Sequence, residues 1–286
     1  MVEYWAIFAA STLAQGLWAA VMAFAWGRAG VLMLGSALFF GIGAYSTAIS
    51  LHNGIMWGGG AAIGVLVAAL VSWLIGSQLL GQEGGLIRFA ASTLVLSLLA
   101  DKLAIRAYSW TGGSNGILIY SNWLFGWGYN SKIISATLVY TFITGIICTI
   151  IVLLFSFFEN SIYGRFLVYS RDTPDSVVRY GISIGYVRLA VATVSSGLAA
   201  LAGALYAPVA GIVSPDIFSV SNSMQCLAWV AIGGMNPRGA FIAACLMRLL
   251  EVQLGTSFAD WYLLGIALVL VGAVLHHART PSSLAR

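Results

Sequence analysis

The amino-acid sequence predicts an all-α polytopic integral membrane protein with about nine transmembrane helices, within a range of about 8 to 10. Hydrophobic residues make up 60% of the 286 residues, and charged residues only 8%. The mean hydropathy is +0.94. Apolar runs of about twenty residues, the length that crosses a bilayer, follow one another along the chain. This composition excludes a water-soluble domain. Because no hydrophilic run is long enough for a second domain, residues 1–286 are expected to form a single transmembrane domain.

The first span is predicted from the N-terminus to about Trp26. It begins with Glu3, Tyr4 and Trp5 and has neither a basic leader nor a small-residue cleavage site, which favours a span over a removed signal peptide. The later spans are predicted at about 31–51, 57–80, 86–106, 133–158, 189–208 and 261–275, with two shorter segments at about 221–232 and 239–254 around the sequence GGMNPRG.

Glycines crowd the second of these runs, which ends in FFGIGAY. Small residues let helices approach closely, or let a helix break inside a protein. Re-entrant half-helices are therefore expected here or around GGMNPRG. The candidates for lining a transport pathway or for packing helices together are Gly35, Phe39, Phe40, Gly41, Gly43 and Tyr45.

An aromatic-rich stretch at about 108–131 is the longest one predicted to be non-helical. It contains TGGSNG, whose glycines suit turns, and rings that prefer the headgroup level of a membrane, such as Trp110, Trp123 and Trp127. We expect it to be an external loop.

The long polar break in the chain runs from Tyr163 to Arg188 and holds four of the eleven arginines. A short helix is predicted in its middle, with Thr173 as the N-cap, Pro174 at the first helical position and Gly181 just beyond the end. A helix of about two turns is far too short to span a bilayer.

The predicted short helix has an apolar side formed by Val177, Val178 and Tyr180. Its polar side is formed by Asp175, Ser176 and Arg179. This amphipathic pattern suits a helix at the membrane surface with another protein docked on it. An ordinary basic cytoplasmic loop explains the composition equally well.

Basic residues predict the orientation. With the polar break, at about 160–187, in the cytoplasm, nine basic residues lie inside and four outside, which follows the positive-inside rule. The N-terminus is then outside and the C-terminus inside. The inside set is Arg28, Arg88, Arg165, Arg171, Arg179, Arg188, Arg238, Arg279 and Arg286, and the outside set is Lys102, Arg106, Lys132 and Arg248.

Enzyme chemistry finds no support in the sequence. A phosphate-binding loop requires Gly-Lys-Ser/Thr, but Lys102 is followed by leucine and Lys132 by isoleucine. No catalytic residues and no metal ligands are predicted, and the scattered arginines indicate topology signals, with no nucleic-acid partner. Arg248 and Glu251 are three residues apart on one predicted helix, so they are expected either to pair structurally or to act in transport.

Five sequence blocks resemble one family in order, over about residues 27 to 251. They are GRAGVLMLGSALFFGIGAY, TGGSNG, GRFLVYSRDTPDSVVRYGI, ALAGALYAPVAGIVSPDIF and GGMNPRGA. They resemble the permease subunits of branched-chain amino acid ABC importers, in particular the LivM type. The general coupling motif E-A-A-x-x-x-G of ABC importers appears as Asp175-Ser176-Val177-x-x-x-Gly181, with the acid and the glycine retained but not the alanines.

The resemblance implies a complex in the bacterial inner membrane. Its partners would be a second, homologous permease subunit in a heterodimer, two cytoplasmic ATPase subunits that bind ATP and Mg, and an external substrate-binding protein. The residues it implies for coupling to the ATPase are Arg171, Asp172, Asp175, Ser176, Val177, Val178, Tyr180 and Gly181.

The implied solute is a branched-chain or other amino acid. Urea, short amides and aromatic acids are alternatives within the same kind of complex. A secondary carrier or channel has the same composition and is the alternative class. A membrane-embedded enzyme would need His, Asp or Cys clustered within the spans, and the sequence has no such cluster.

Overall fold

The computed structural model describes residues 2–82, 84–119 and 133–257, which form an all-α bundle with one small β-ribbon. Its helices are α1 Val2–Ala29, α2 Ser36–His52, α3 Trp57–Leu79, α4 Gly85–Arg106, α5 Tyr108–Thr111, α6 Ile133–Asn160, α7 Ile162–Asp172, α8 Pro174–Arg179, α9 Ile184–Ala210, α10 Val220–Gly233 and α11 Pro237–Ser257. The strands are β1 Ile117–Leu118 and β2 Ile212–Val213.

The all-α membrane class predicted from the composition is confirmed. Four helices are long and apolar enough to cross a membrane, namely Glu3–Ala29, Trp57–Leu79, Thr137–Asn160 and Ile184–Ala210. The consecutive helices α10 and α11 meet at an angle of 117° and together form a broken span or a re-entrant loop. The described residues therefore supply four or five candidate spans. A total of about nine stays a prediction, and the span predicted at 261–275 lies outside the described residues.

Helices α1 and α9 form the centre of the bundle. In the apolar stretch of each candidate span, 67% is buried inside the protein for α1 and α9, against 28% for α3 and α6. Helix α9 packs on α1, α2 and α3, while α1 also packs on α6 and α11. The peripheral helices α3 and α6 therefore present most of their apolar surface to lipid.

Glycines bring α2 and α9 into backbone contact. A Cβ added to Gly43 would overlap the carbonyl group of Ala200, and one added to Gly203 would overlap the carbonyl oxygen of Phe40. Between helices in lipid there is little hydrophobic driving force, so close packing of small residues supplies the attraction. The glycine-rich second run therefore lies against the α9 backbone at Gly43.

The second helix is shorter than predicted. The run at 31–51 was expected to be helical throughout, but α2 begins at Ser36, and the preceding segment is non-helical with buried Val31 and Met33 side chains. Gly35 lies against α4, where a Cβ would overlap the carbonyl oxygen of Thr93, and its N–H donates to the Thr93 hydroxyl at 3.3 Å. The buried backbone thus obtains a partner from a neighbouring helix, which a sequence pattern does not reveal.

A β-ribbon closes one end of the bundle. Ile117 pairs with Val213 in antiparallel register, which joins the TGGSNG segment to the chain that follows α9. Gly116 has a φ of 72°, and a Cβ there would overlap the carbonyl oxygen of Val213, so glycine is required on both grounds. The sequence did not predict this ribbon. Residues 120–131 of the predicted aromatic loop lie outside the described residues.

Candidate functional site

The predicted polar break contains two short helices, not one. Helix α7 directly follows α6, and Ser161 caps it because its Oγ accepts a hydrogen bond from the Gly164 N–H at 3.2 Å. Leu167 and Ser170 are buried beneath α7, so this helix lies against the bundle. The sequence predicts only the shorter helix that follows; α7 contains Gly164, which lowers its intrinsic helix propensity.

The short helix α8 spans Pro174–Arg179, close to the predicted bounds. Gly181 has a φ of 77°, and its N–H donates to the Val178 carbonyl at 2.9 Å, which confirms the predicted glycine termination. Thr173 stands at the N-cap position but makes no side-chain cap hydrogen bond. Its hydroxyl donates instead to the Tyr169 carbonyl at 3.0 Å, one turn back in α7. The α7–α8 junction is therefore joined through Thr173.

The apolar side of α8 differs from the prediction. Val178 and Tyr180 are 59% and 80% exposed, but Val177 is only 1% exposed. The expectation that Val177 contacts a partner protein is corrected, since its side chain is enclosed by this chain. We define the α8 surface as Val178, Arg179 and Tyr180, all of which are exposed. Ser176 is half-buried beside it.

Arg171 ties α7 to the rest of the bundle. Its Nη1 donates to the Gly27 carbonyl, near the end of α1, at 2.7 Å, and lies 3.5 Å from the Met235 sulfur between α10 and α11. Asp172 is exposed, and the Arg171–Asp172 distance of 3.9 Å is long for an ion pair. One side chain of the polar break thus contacts both the end of α1 and the α10–α11 break.

A second contact set lies at the same end of the bundle. The Nη2 of Arg28 lies 2.7 Å from the Glu159 carboxylate at the end of α6, and both side chains are largely buried. The same nitrogen lies 3.5 Å from the Asn236 side-chain oxygen, in the α10–α11 break. Arg238 donates to the hydroxyl of Ser156. Three arginines predicted to lie inside the cell, Arg28, Arg171 and Arg238, are therefore gathered at one end of the molecule.

The candidates for pathway lining are all in contact with neighbouring residues. Phe40 stacks on Trp18 with ring centroids 4.5 Å apart, and Tyr45 stacks on Phe218 at 5.4 Å. A Cβ on Gly41 would overlap the Phe218 ring. Phe39 is fully buried. These contacts place Phe40 at the interface of α2 with α1, and Gly41 and Tyr45 against the turn at Pro215–Phe218.

The predicted pair of Arg248 and Glu251 is present. The Arg248 Nη1 lies 2.8 Å from one Glu251 carboxylate oxygen, and the other oxygen accepts a hydrogen bond from Gln225 Nε2 at 2.5 Å. Gln225 belongs to α10, so the glutamate links the two halves of the bent pair. The sequence predicted the arginine partner from the spacing but not the glutamine, which is 26 residues away.

Comparison with known proteins identifies relatives of one kind. Residues 5–276 match the family model described as "Branched-chain amino acid transport system / permease component". The chain is 28% identical over 261 residues to the "High-affinity branched-chain amino acid transport system permease protein LivM" of Escherichia coli strain K12, and 27% identical to the protein of that name from Salmonella typhimurium. Each match covers 83% of this chain and 60% of the relative, so the chain spans about three fifths of the length of these curated relatives. No solved structure matches the chain.

Proposed function

Because this chain belongs to the branched-chain amino acid transport permease family, we propose that it is the transmembrane subunit of an ABC importer. It forms the pathway for a small polar or zwitterionic solute, and branched-chain amino acids are the preferred candidates for that solute. Urea, short amides and aromatic acids are the alternatives for the same complex. The proposed complex holds this chain and a homologous permease in a heterodimer, with an external substrate-binding protein and two cytoplasmic ATPase subunits. ATP and Mg bind to the ATPase subunits.

The arrangement of α7 and α8 carries this proposal. The transmembrane subunit of an ABC importer receives mechanical work from its ATPase partners, and an amphipathic helix seated in a partner's groove can transmit it. The α8 surface offers one valine and one tyrosine side chain to such a groove. Each large apolar side chain that becomes fully buried contributes about 1.5 to 3 kcal/mol.

Polar contacts connect α8 to the membrane-spanning helices, and these contacts can transmit a movement of α8. A force on α8 acts on α7 through the Thr173–Tyr169 hydrogen bond. From α7, Arg171 contacts the end of α1 and the α10–α11 break. Movement of α7 therefore displaces the central helix α1 relative to the bent pair, which is the type of change that alternating access requires.

The proposed orientation has the α8 end in the cytoplasm and the β-ribbon outside, in a bacterial inner membrane. The gathering of Arg28, Arg171 and Arg238 at the α8 end supports it, because basic residues are retained on the cytoplasmic side. The β-ribbon end is then available to an external binding protein.

The coupling experiment uses the whole complex reconstituted in vesicles. The test variant combines Val178→Asp with Tyr180→Ala, and the control is Phe157→Ala, which truncates an exposed ring on the span α6. We expect the test variant to lose ATP hydrolysis stimulated by loaded binding protein and to lose pull-down of the ATPase subunits, while the control retains both. Normal stimulation and pull-down in the test variant would exclude α8 as the coupling helix. Solute uptake by this chain without ATPase subunits would favour a carrier instead.

A further inference from the structure

A groove of about 820 Å³ lies beside α8, between the end of α3 and the start of α9. Its polar lining includes Arg188, Gln82 and Ser183, and its apolar lining includes Trp73, Leu80 and Leu189. The floor is closed by tight helix contacts, since a Cβ on Gly185 would lie 2.8 Å from the Gly81 Cα. The groove is therefore a formed feature of the α3–α9 packing.

Arg188 brings an unsatisfied positive charge into this groove. Its Nε is buried and has no hydrogen-bond partner, and no ion pair is formed by its guanidinium with any side chain that the structure describes. A buried donor without a partner costs free energy, and more so when it is charged. An anionic ligand in the groove removes this cost.

A second arginine lies at the edge of the groove. Arg88 donates to the Gln82 side-chain oxygen at 2.9 Å, which brings its charge close to the lining. Ser183, at the start of α9, makes no side-chain cap hydrogen bond, so the positive end of the helix dipole adds to the same field. Among the lining residues that the structure describes, none is acidic.

The position of the groove selects a lipid as the ligand. Both α3 and α9 are candidate spans, and α3 is mostly exposed, so the groove opens toward the bilayer at the level where these spans end. Trp73 and Tyr186 on its lining are exposed aromatic residues of the kind that sit at headgroup level. Basic pockets between membrane helices bind anionic headgroups, while an apolar wall accepts acyl chain.

We propose that this groove binds an anionic phospholipid, with Arg188 on the phosphodiester and the acyl chains along Trp73. The lipid lies against Val178 and Gly181, at the base of the α8 surface, and so fills the space between α8 and the span α3. The lipid site rests on the membrane fold and on the groove, and it shares Val178 with the α8 surface, so it is tested on this chain without ATPase subunits.

The test is native mass spectrometry of the purified full-length chain in detergent, titrated with phosphatidylglycerol or phosphatidylcholine. We expect preferential binding of phosphatidylglycerol. Arg188→Gln should weaken it at least about fivefold, the effect of one arginine near a lipid surface. Arg188→Lys should retain most of it. The matched control is Arg165→Gln, which removes an exposed arginine of α7 that does not line the groove.

A second variant blocks the groove but keeps the arginine, so that a loss of lipid binding does not depend on whether Arg188→Gln folds correctly. Ser77→Trp, at an exposed lining position on α3, should fill the groove and reduce phosphatidylglycerol binding as strongly as Arg188→Gln. Equal binding of both lipids, or unchanged binding in Arg188→Gln and Ser77→Trp, would overturn the site. Inorganic phosphate that competes as strongly as phosphatidylglycerol itself would show that the acyl chains add nothing to recognition, and this result would reject the lipid.

Discussion

Replacing Gly43 with alanine tests how closely α2 and α9 approach. The new Cβ would lie 2.7 Å from the Cα of Ala200 and even closer to its carbonyl group. These are backbone atoms of a central helix, so they cannot turn aside as a flexible side chain can. Because the new Cβ would lie only 1.8 Å from the Ala200 carbonyl oxygen, and non-bonded atoms normally approach to about 3.5 to 4.0 Å, the two helices must separate by roughly 2 Å.

The expected loss of stability follows from two opposing effects. Overpacking of this kind costs about 1 to 3 kcal/mol, while alanine in place of glycine inside a helix returns up to about 1 kcal/mol. A net loss of about 1 to 2 kcal/mol is expected for Gly43→Ala. For a chain of this size, that corresponds to a Tm lower by about 2 to 8 °C. Gly203→Ala requires a separation of the same two helices. The double variant should therefore lose less stability than the sum of the losses in the two single variants.

Thermal unfolding in detergent can be followed by the reaction of a thiol-specific fluorophore with Cys148 and Cys226, which are free and buried in the folded protein. The matched control is Gly58→Ala at the exposed start of α3, where a Cβ would meet nothing within 4 Å. We expect the control to leave the Tm unchanged or raise it. A Tm for Gly43→Ala equal to or above that of Gly58→Ala would show that the contact between α2 and α9 is looser than described.

Two further predictions concern orientation and the bent pair. A cysteine at Ser176 should be labelled by a membrane-impermeant reagent only from the cytoplasmic side, and one at Asn115 only from outside; labelling of both from one side would reverse or break the proposed topology. Glu251→Gln should destabilise the protein by about 3 to 5 kcal/mol, since it leaves the arginine charge partly buried and unpaired. Adding Arg248→Met should recover much of that loss, whereas equal thermal unfolding of the single and double variants would show that the pair contributes little.

The sequence predicted the features that depend on local order along the chain. Apolar runs predict α3 and α4, and Pro174 with Gly181 predicts α8, so these helices begin and end within a residue or two of their predicted bounds. The Arg248–Glu251 pair follows from a spacing of three on one helix. The membrane class follows from composition alone, because so apolar a chain has no soluble alternative.

Contacts between distant segments could not be predicted in this way. Arg171 meets a carbonyl 144 residues away, and the partner is a backbone group that any residue type would supply. The Glu159 partner of Arg28 is 131 residues away in the sequence. The groove at Arg188 exists only because two glycines let the start of α9 approach the end of α3. No sequence pattern at these positions predicts which distant residue each one contacts.

Which side of each helix faces protein was decided by tertiary structure alone. In a soluble protein, polar residues mark the outer face of a helix, so periodicity reveals the core. In a membrane, lipid and protein interior are both apolar, and the side chains that face them are of the same kind. Val177 and Val178 are adjacent and chemically identical, yet one is enclosed and the other is exposed. The sequence thus determined the class, the helices and the local pairs, and the packing of α1, α2 and α9 decided which residues remain available to solute, lipid and partner proteins.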